Sequence, residues 1–158
     1  CAGDEDRLVD CRYLGADEEN CGHIEDVGVV CSLEDGNGGC VDDIFEENDD
    51  LRASVPIDPA AYEGLKICAD DDDFYQMTVC PAGTLNLQLN FSDAAGDLDL
   101  ELLNEAGNFV SGSAGVTDVE EIQWVNNLDV DAVMNIRVYG FFGAENAYDM
   151  RLGIVGCP

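Results

Sequence analysis

Positive charge is what this chain has least of. Six Lys and Arg stand against 35 Asp and Glu, with a single histidine, His23, for a formal net charge of −29. Phosphate recognition runs on Lys and Arg, so no nucleic-acid partner is expected, and an anionic membrane surface is disfavoured on the same ground. No run of about 18 apolar residues occurs, so no segment reads as a membrane-spanning helix and no membrane insertion is expected. There is no CxxC, and one histidine cannot complete a zinc set of the usual Cys/His spacing. No nucleophile motif such as GxSxG accompanies His23, which reads as a structural residue; the chain is not expected to be an enzyme. An initial Met and a signal peptide are both missing, so a processed product or a piece of something longer is expected.

What is present is ordinary in amount and unusual in kind. Apolar residues make up 46% of 158, enough for one domain or one domain with a small attachment. Eight cysteines stand at positions 1, 11, 21, 31, 40, 68, 80 and 157. Even in number and dispersed, Cys1, Cys11, Cys21, Cys31, Cys40, Cys68, Cys80 and Cys157 read as disulfides, and hence as an oxidising compartment. Four of them lie in residues 1–33. The Gly/Asn/Asp stretch "LEDGNGGC" then marks a linker over 34–41, and a different texture runs over 42–158.

That texture is period two. In "TLNLQLNF" Leu85, Leu87, Leu89 and Phe91 fall on one face, and Thr84, Asn86, Gln88 and Asn90 on the other. The same alternation groups Tyr75, Met77 and Val79; Leu98, Leu100 and Leu102; Met134, Ile136 and Val138; and Tyr148, Met150, Leu152 and Ile154. About eight such segments, broken by "PAGT", "AAGD", "EAGN" and "YGFFGAEN", predict an all-β antiparallel sandwich packed on one face of each sheet. "DPAAYEG" has room for one helical turn. The sandwich can bury a core of its own, whereas about 33 residues need cross-links or a partner. Because the two ends of a sandwich can lie close, a Cys40–Cys157 bridge would clamp its termini and leave Cys68 to Cys80; eight cysteines allow about 105 pairings.

Four aspartates, Asp70 to Asp73, directly precede the strand "FYQMTV". Two unit charges about 5 Å apart repel by roughly 0.8 kcal/mol in water and several-fold more near a protein surface. Such a run is either a solvated turn in a very acidic chain or a place where a cation sits. Asp97 and Asp99 alternate with leucines and read as the polar face of a strand, not as a glycosidase pair. Trp124 reads as core, and Phe141 and Phe142 as candidates for exposed aromatics at a hairpin tip.

These residues carry two resemblances. Residues 1–31, "CAGDEDRLVDCRYLGADEENCGHIEDVGVVC", fit CxGxExxLxxC followed by NCGHxEDxGVxC. They resemble the C-terminal third of a scavenger receptor cysteine-rich domain. The resemblance implies a Cys1–Cys11 bridge. It implies partners for Cys21 and Cys31 in an N-terminal portion that this chain lacks, unless the two pair with each other, and it makes Glu25 half a cation site at best.

Residues 42–154 carry "FEENDDLRAS", "DDDDFYQMTV", "GDLDLELLNEAGN" and "IRVYGFFGAENAYDMRL" in that order. They resemble the bacterial pre-peptidase C-terminal domain, a jelly-roll-like sandwich to whose group the collagen-binding domains of clostridial collagenases belong. Glu47 stands where that family usually has proline, and the cysteines are additional. The resemblance implies a calcium site made by Glu46, Asn48 and Asp49 from the lead-in, with Asp70 and Asp73 from the acidic turn. Calcium takes six to eight oxygen ligands, which carboxylates and one amide from two segments can supply. The expected protein is therefore a non-catalytic, secreted or cell-surface binding or adhesion module that takes Ca2+, with an extracellular protein or polysaccharide as ligand. Alternatives are an accessory domain of a secreted peptidase whose catalytic part lies elsewhere, and a structural spacer.

Overall fold

The strict alternation of "TLNLQLNF" becomes a strand over Thr84–Phe91 whose Leu85, Leu87 and Leu89 are 0, 3 and 0% exposed. The same parity rule builds the rest. The computed structural model describes residues 40–157, among which nine strands are formed: β1 (Val55–Pro56), β2 (Ala61–Ile67), β3 (Asp72–Val79), β4 (Thr84–Phe91), β5 (Leu98–Asn104), β6 (Phe109–Ser113), β7 (Val119–Val125), β8 (Ala132–Gly140) and β9 (Asn146–Val155). A single 3-10 turn, Phe141–Gly143, joins β8 to β9. The readings made for residues 1–39, including Cys1, Cys11, Cys21, Cys31, His23 and Glu25, lie outside the described residues.

The strands form two sheets, of order β1-β3-β8-β5-β6 and β2-β9-β4-β7. All pairings are antiparallel except that of β1 with β3. The inward rows meet in one core, in which Tyr75, Met77 and Val79 of β3 and Leu98, Leu100 and Leu102 of β5 are joined by Met134, Ile136 and Val138 of β8 and Tyr148, Met150 and Leu152 of β9. Each such aliphatic side chain contributes on the order of 1.5–3 kcal/mol by leaving water. Trp124 is half-buried and packs against this core. The architecture is the all-β sandwich that the alternation predicts.

Two expectations are corrected. "DPAAYEG" holds no helical turn: Ala61–Ile67 pairs with β9, and a register shift between Tyr62 and Leu65, with Gly64 at φ +70°, takes up the irregularity. Pairing with a neighbouring strand outweighs a weak local propensity. The expected disulfide partners also change. Cys157 bonds to Cys80, with Cα atoms 5.7 Å apart, so Cys40–Cys157 and Cys68–Cys80 are both ruled out; Cys40 and Cys68 are each disulfide-bonded as well. The reason is register. Thr84 of β4 lies opposite Val155 of β9, which brings Cys157 beside the turn that starts β4. Cys68 and Cys80, by contrast, flank the eight residues of β3, and an extended strand of that length holds its ends about 27 Å apart.

The Cys80–Cys157 bridge spans 77 residues, a separation for which loop-closure entropy gives a stabilisation of about 4.5 kcal/mol. The double variant Cys80→Ser, Cys157→Ser should lose about 2–5 kcal/mol in urea unfolding. An unchanged midpoint would show that the β4–β9 ladder alone fixes this end of the sandwich.

Candidate metal centre

The segment before β1 is pinned to the sandwich at three places. Asp43 Oδ1 accepts the Phe45 N–H at 2.8 Å and its Oδ2 accepts the Lys66 N–H at 3.0 Å, which ties the segment to β2. The Phe45 ring meets Tyr62 and Tyr75 edge-on, with centroids 5.9 and 5.7 Å away. The backbone N–H of Phe74 donates to Asn48 O at 2.9 Å, so the segment lies along the start of β3. These contacts bring the lead-in and the acidic turn together.

Parity then sorts the four aspartates. Asp73 belongs to the inward row with Tyr75, Met77 and Val79, and is fully buried. Asp71, two residues earlier, lies on the same side and is half-buried. Asp72 takes the other face, where Arg137 binds it at 2.7 Å and Glu101 at 3.0 Å. Asp70 is exposed, at φ +61°, with its Oδ1 only 2.6 Å from where a Cβ on Gly143 would sit.

Carboxylate oxygens of Asp42, Glu46 and Asp71 all lie within 4.8 Å of one another. Asp42 and Asp71 are in hydrogen-bonding contact, and Glu46 is in such contact with both Asp49 and Asp73. Asn48 is fully buried with its side-chain amide against Glu46: with its nitrogen toward the carboxylate it donates to the two Glu46 oxygens at 3.0 and 3.3 Å. The peptide bond between Glu46 and Glu47 is cis. Of the residues named from the sequence, Glu46, Asn48, Asp49 and Asp73 thus come together and Asp70 lies apart, beside Gly143. Asp42 and Asp71 join the group without having been named. For Asp71 the signal was present in the sequence, since it shares the parity of Asp73.

Among the described residues the ion pairs are those of Arg137, so no Lys or Arg neutralises this group. Its chemistry shows in its proton affinities. Burial, then Asp42 and Asp73, push the Glu46 carboxyl up to about 10. Burial and the contact with Asp42 raise Asp71 to about 7. Burial raises Asp73 to about 8 against the opposing pull of the Tyr148 hydroxyl, which donates to Asp73 Oδ2. Tyr148 and Tyr75 are linked hydroxyl to hydroxyl at 2.7 Å, and burial followed by the Asp73 charge raises both phenols, so they stay protonated. Two oxygens bound to one calcium at 2.3–2.6 Å lie no more than about 5.2 Å apart, and the oxygens of Asp42, Glu46 and Asp71 satisfy that limit. The residues fit a hard cation held by oxygen.

Asp97 and Asp99 are also raised, chiefly by burial, and Asp99 is only 4% exposed. The strand-face reading missed that burial. They lie at the start of β5, where Asp99 is opposite Tyr139 of β8.

Comparison with known proteins matches both halves of the sequence. No family profile matches the chain. It is 53% identical over 32 residues to a scavenger receptor cysteine-rich domain superfamily protein of Patiria pectinifera, and 34% identical over 79 residues to galectin-3-binding protein of Mus musculus. The matches cover 20% and 44% of this chain, and the chain spans 3% and 14% of those proteins. In fold it is similar to the pre-peptidase C-terminal domain of a Bacillus anthracis collagenase, with TM-score 0.53 and 14% identity over 63% of this chain and 94% of the other. It is also similar to PliG, a periplasmic inhibitor of g-type lysozyme from Aeromonas hydrophila, with TM-score 0.51 and 14% identity over 64% of this chain and 95% of the other. The chain thus carries a likeness to scavenger receptor cysteine-rich proteins together with a pre-peptidase C-terminal-like β-sandwich.

The raised carboxyls set a pH dependence for the metal-free protein. Unfolded, they would titrate near 4. Above that, the folded state holds protons that the unfolded state has released, so stability is greatest on the acid side and falls as pH climbs through about 7, 8 and 10. In chelator, the urea midpoint should fall from near pH 5 to near pH 9, and Glu46→Gln should make that fall shallower. A wild-type midpoint that rises over this range would refute the assignment. Tyr148→Phe, which removes the donor to Asp73, should cost about 1.5–3 kcal/mol near pH 9 and less near pH 5, where Asp73 carries a proton.

Proposed function

We propose that this chain is a non-catalytic extracellular binding module whose sandwich is stiffened by a calcium ion at its lead-in. The observation that carries the reading is the gathering of oxygen donors: carboxylate oxygens of Asp42, Glu46 and Asp71 lie within 4.8 Å of one another, the buried Asn48 amide and the buried Asp73 both contact Glu46, and among the described residues no Lys or Arg is paired with them. Buried oxygens in such an arrangement either share protons or share a cation. Ca2+ would be held by Glu46, Asn48, Asp71 and Asp73, with Asp42 and Asp49 closing the shell. It would supply charge neutralisation and a link between the lead-in and β3.

The disulfides and the likeness to scavenger receptor cysteine-rich and galectin-3-binding proteins support an extracellular place and a protein or polysaccharide ligand. Among the described residues no helix is long and apolar enough to cross a membrane. The fold likeness to a collagenase's pre-peptidase C-terminal domain supports a second reading, an accessory domain of a secreted peptidase. A zinc-protease HExxH motif in the same reading frame would establish it.

The test is a calcium titration of the chelator-treated, oxidised protein, followed by its melting temperature with magnesium as control. Extracellular sites bind at about 0.1–1 mM, so tenfold saturation adds roughly 1.4 kcal/mol, or about 5 °C. Asp71→Asn, Asp73→Asn and Asn48→Ala should abolish the rise, and Asp70→Asn should keep it. A flat titration of the wild type returns the corner to proton sharing and removes the calcium site from the reading.

A further inference from the structure

The β8–β9 tip is built around two aromatic rings that do not enter the core. Phe141 is 49% exposed and Phe142 is 94% exposed, and the ring centroids lie 4.2 Å apart. Single exposed apolar residues are common on protein surfaces. A bulky residue in left-handed backbone is not, and Phe142 sits at φ +53°, a conformation that costs on the order of 1–3 kcal/mol. The strain does not go toward burial, since Phe142 is the most exposed large apolar side chain among the described residues.

The tip is held rigidly. Phe141 N–H donates to Asp97 O at 2.9 Å, and Ala144 N–H to Phe141 O at 3.2 Å. At Gly140 the chain folds back so closely that a Cβ would lie 1.9 Å from Ala144 O. Below it, the Asn146 side chain donates to Ser92 O at 2.8 Å and Gly96 O at 2.7 Å, clamping the β4–β5 turn against the start of β9. On the other side Gly143 packs on Asp70, the outer residue of the acidic turn. The rings therefore stand between two acidic turns, 70–73 and 92–97. Neither turn contains a Lys or Arg, and neither does the tip itself, residues 140–146.

An apolar centre with a charged rim is the anatomy of a protein-binding hot spot, where one or two aromatic anchors fill a socket and the rim sets specificity. The exposed acids on segments in contact with the tip are Asp70 and Glu145, while the one base paired with the flanking turn, Arg137, is taken up by Asp72 and Glu101. The net charge of −29 opposes an anionic bilayer. We propose that the Phe141–Phe142 tip is the contact by which this module binds a protein partner, one that offers an apolar socket bordered by Lys or Arg. This deepens the binding-module reading by naming its surface and the chemistry of its partner.

The probe is a display library of random peptides, panned on the wild-type chain in calcium at low salt. Enriched peptides should carry an aromatic, Leu or Met flanked by Lys or Arg. Phe142→Asn should weaken their binding about tenfold or more, and added salt should weaken it further. Asparagine tolerates left-handed backbone, so Phe142→Asn should melt no lower than the wild type. Loss of binding at no cost in stability separates a contact residue from a structural one. Phe109→Ser, a change at another exposed aromatic (63%) on β6, should leave binding unchanged.

Enriched peptides that bind Phe142→Asn as tightly as the wild type would overturn the inference, and so would a library that yields no basic, apolar peptide. Uptake of the chain by phosphatidylcholine vesicles through Phe142 would overturn it in favour of a lipid surface. The calcium-induced rise in melting temperature is read on the same samples. An absent rise removes the calcium site and leaves the peptide result standing, whereas a normal rise with Phe142-independent peptide binding removes the tip alone.

Discussion

A fully buried carboxylate has to be compensated, and the compensation of Asp73 organises one corner of this sandwich. Left alone in an apolar core, an ionised carboxyl would cost several kcal/mol. Asp73 stands on β3 in one sheet, while its hydrogen-bond donor Tyr148 stands on β9 in the other, so the bond crosses between the sheets. Tyr75, also on β3, closes the chain of hydroxyls, and Phe45 from the lead-in covers it edge-on. The lead-in is thereby drawn over the open side of Asp73 and brings Glu46 and Asn48 with it. The consequence is electrostatic: acids gather at one place where, among the described residues, no Lys or Arg is paired with them, and their proton affinities rise.

The lead-in, the start of the acidic run and the aromatic tip lie outside the strands, at the margins of the two sheets. Asp70 connects two of them. It lies directly before the inward-facing Asp71 and Asp73, and its own carboxylate turns outward onto Gly143 of the aromatic tip. The acidic run is therefore divided by the geometry of a strand start. Alternate residues serve the buried corner, Asp72 answers Arg137 on the outer face, and Asp70 borders the tip.

Much of the fold was legible because the signal was period two. Leu85, Leu87 and Leu89, like Met134, Ile136 and Val138, announce their inward face in sequence and keep it in the sandwich. The same rule carried into the acidic run separates Asp71 and Asp73 from Asp70 and Asp72, whereas the family pattern names Asp70 and Asp73. Other features depend on register, which single-strand patterns do not contain. Asp42 joins the corner only because Asp43 is tied to Lys66 of β2 and Asn48 to Phe74 of β3. Tyr148 reaches Asp73 only because β9 crosses above β3 in the opposite sheet, and Cys157 finds Cys80 only through the β4–β9 ladder. The Cys68–Cys80 pairing, by contrast, was excluded by the strand pattern itself, because cysteines at opposite ends of a single strand cannot meet.

The most direct measurement is a crystal structure of the oxidised chain grown in calcium, with anomalous scattering to mark the ion. The account predicts one Ca2+ among Glu46, Asn48, Asp71 and Asp73, with oxygen ligands at about 2.3–2.6 Å and the Asn48 amide oxygen among them. A calcium-soaked crystal with no ion at that corner, and the Asn48 amide turned to donate its N–H to Glu46, would contradict it.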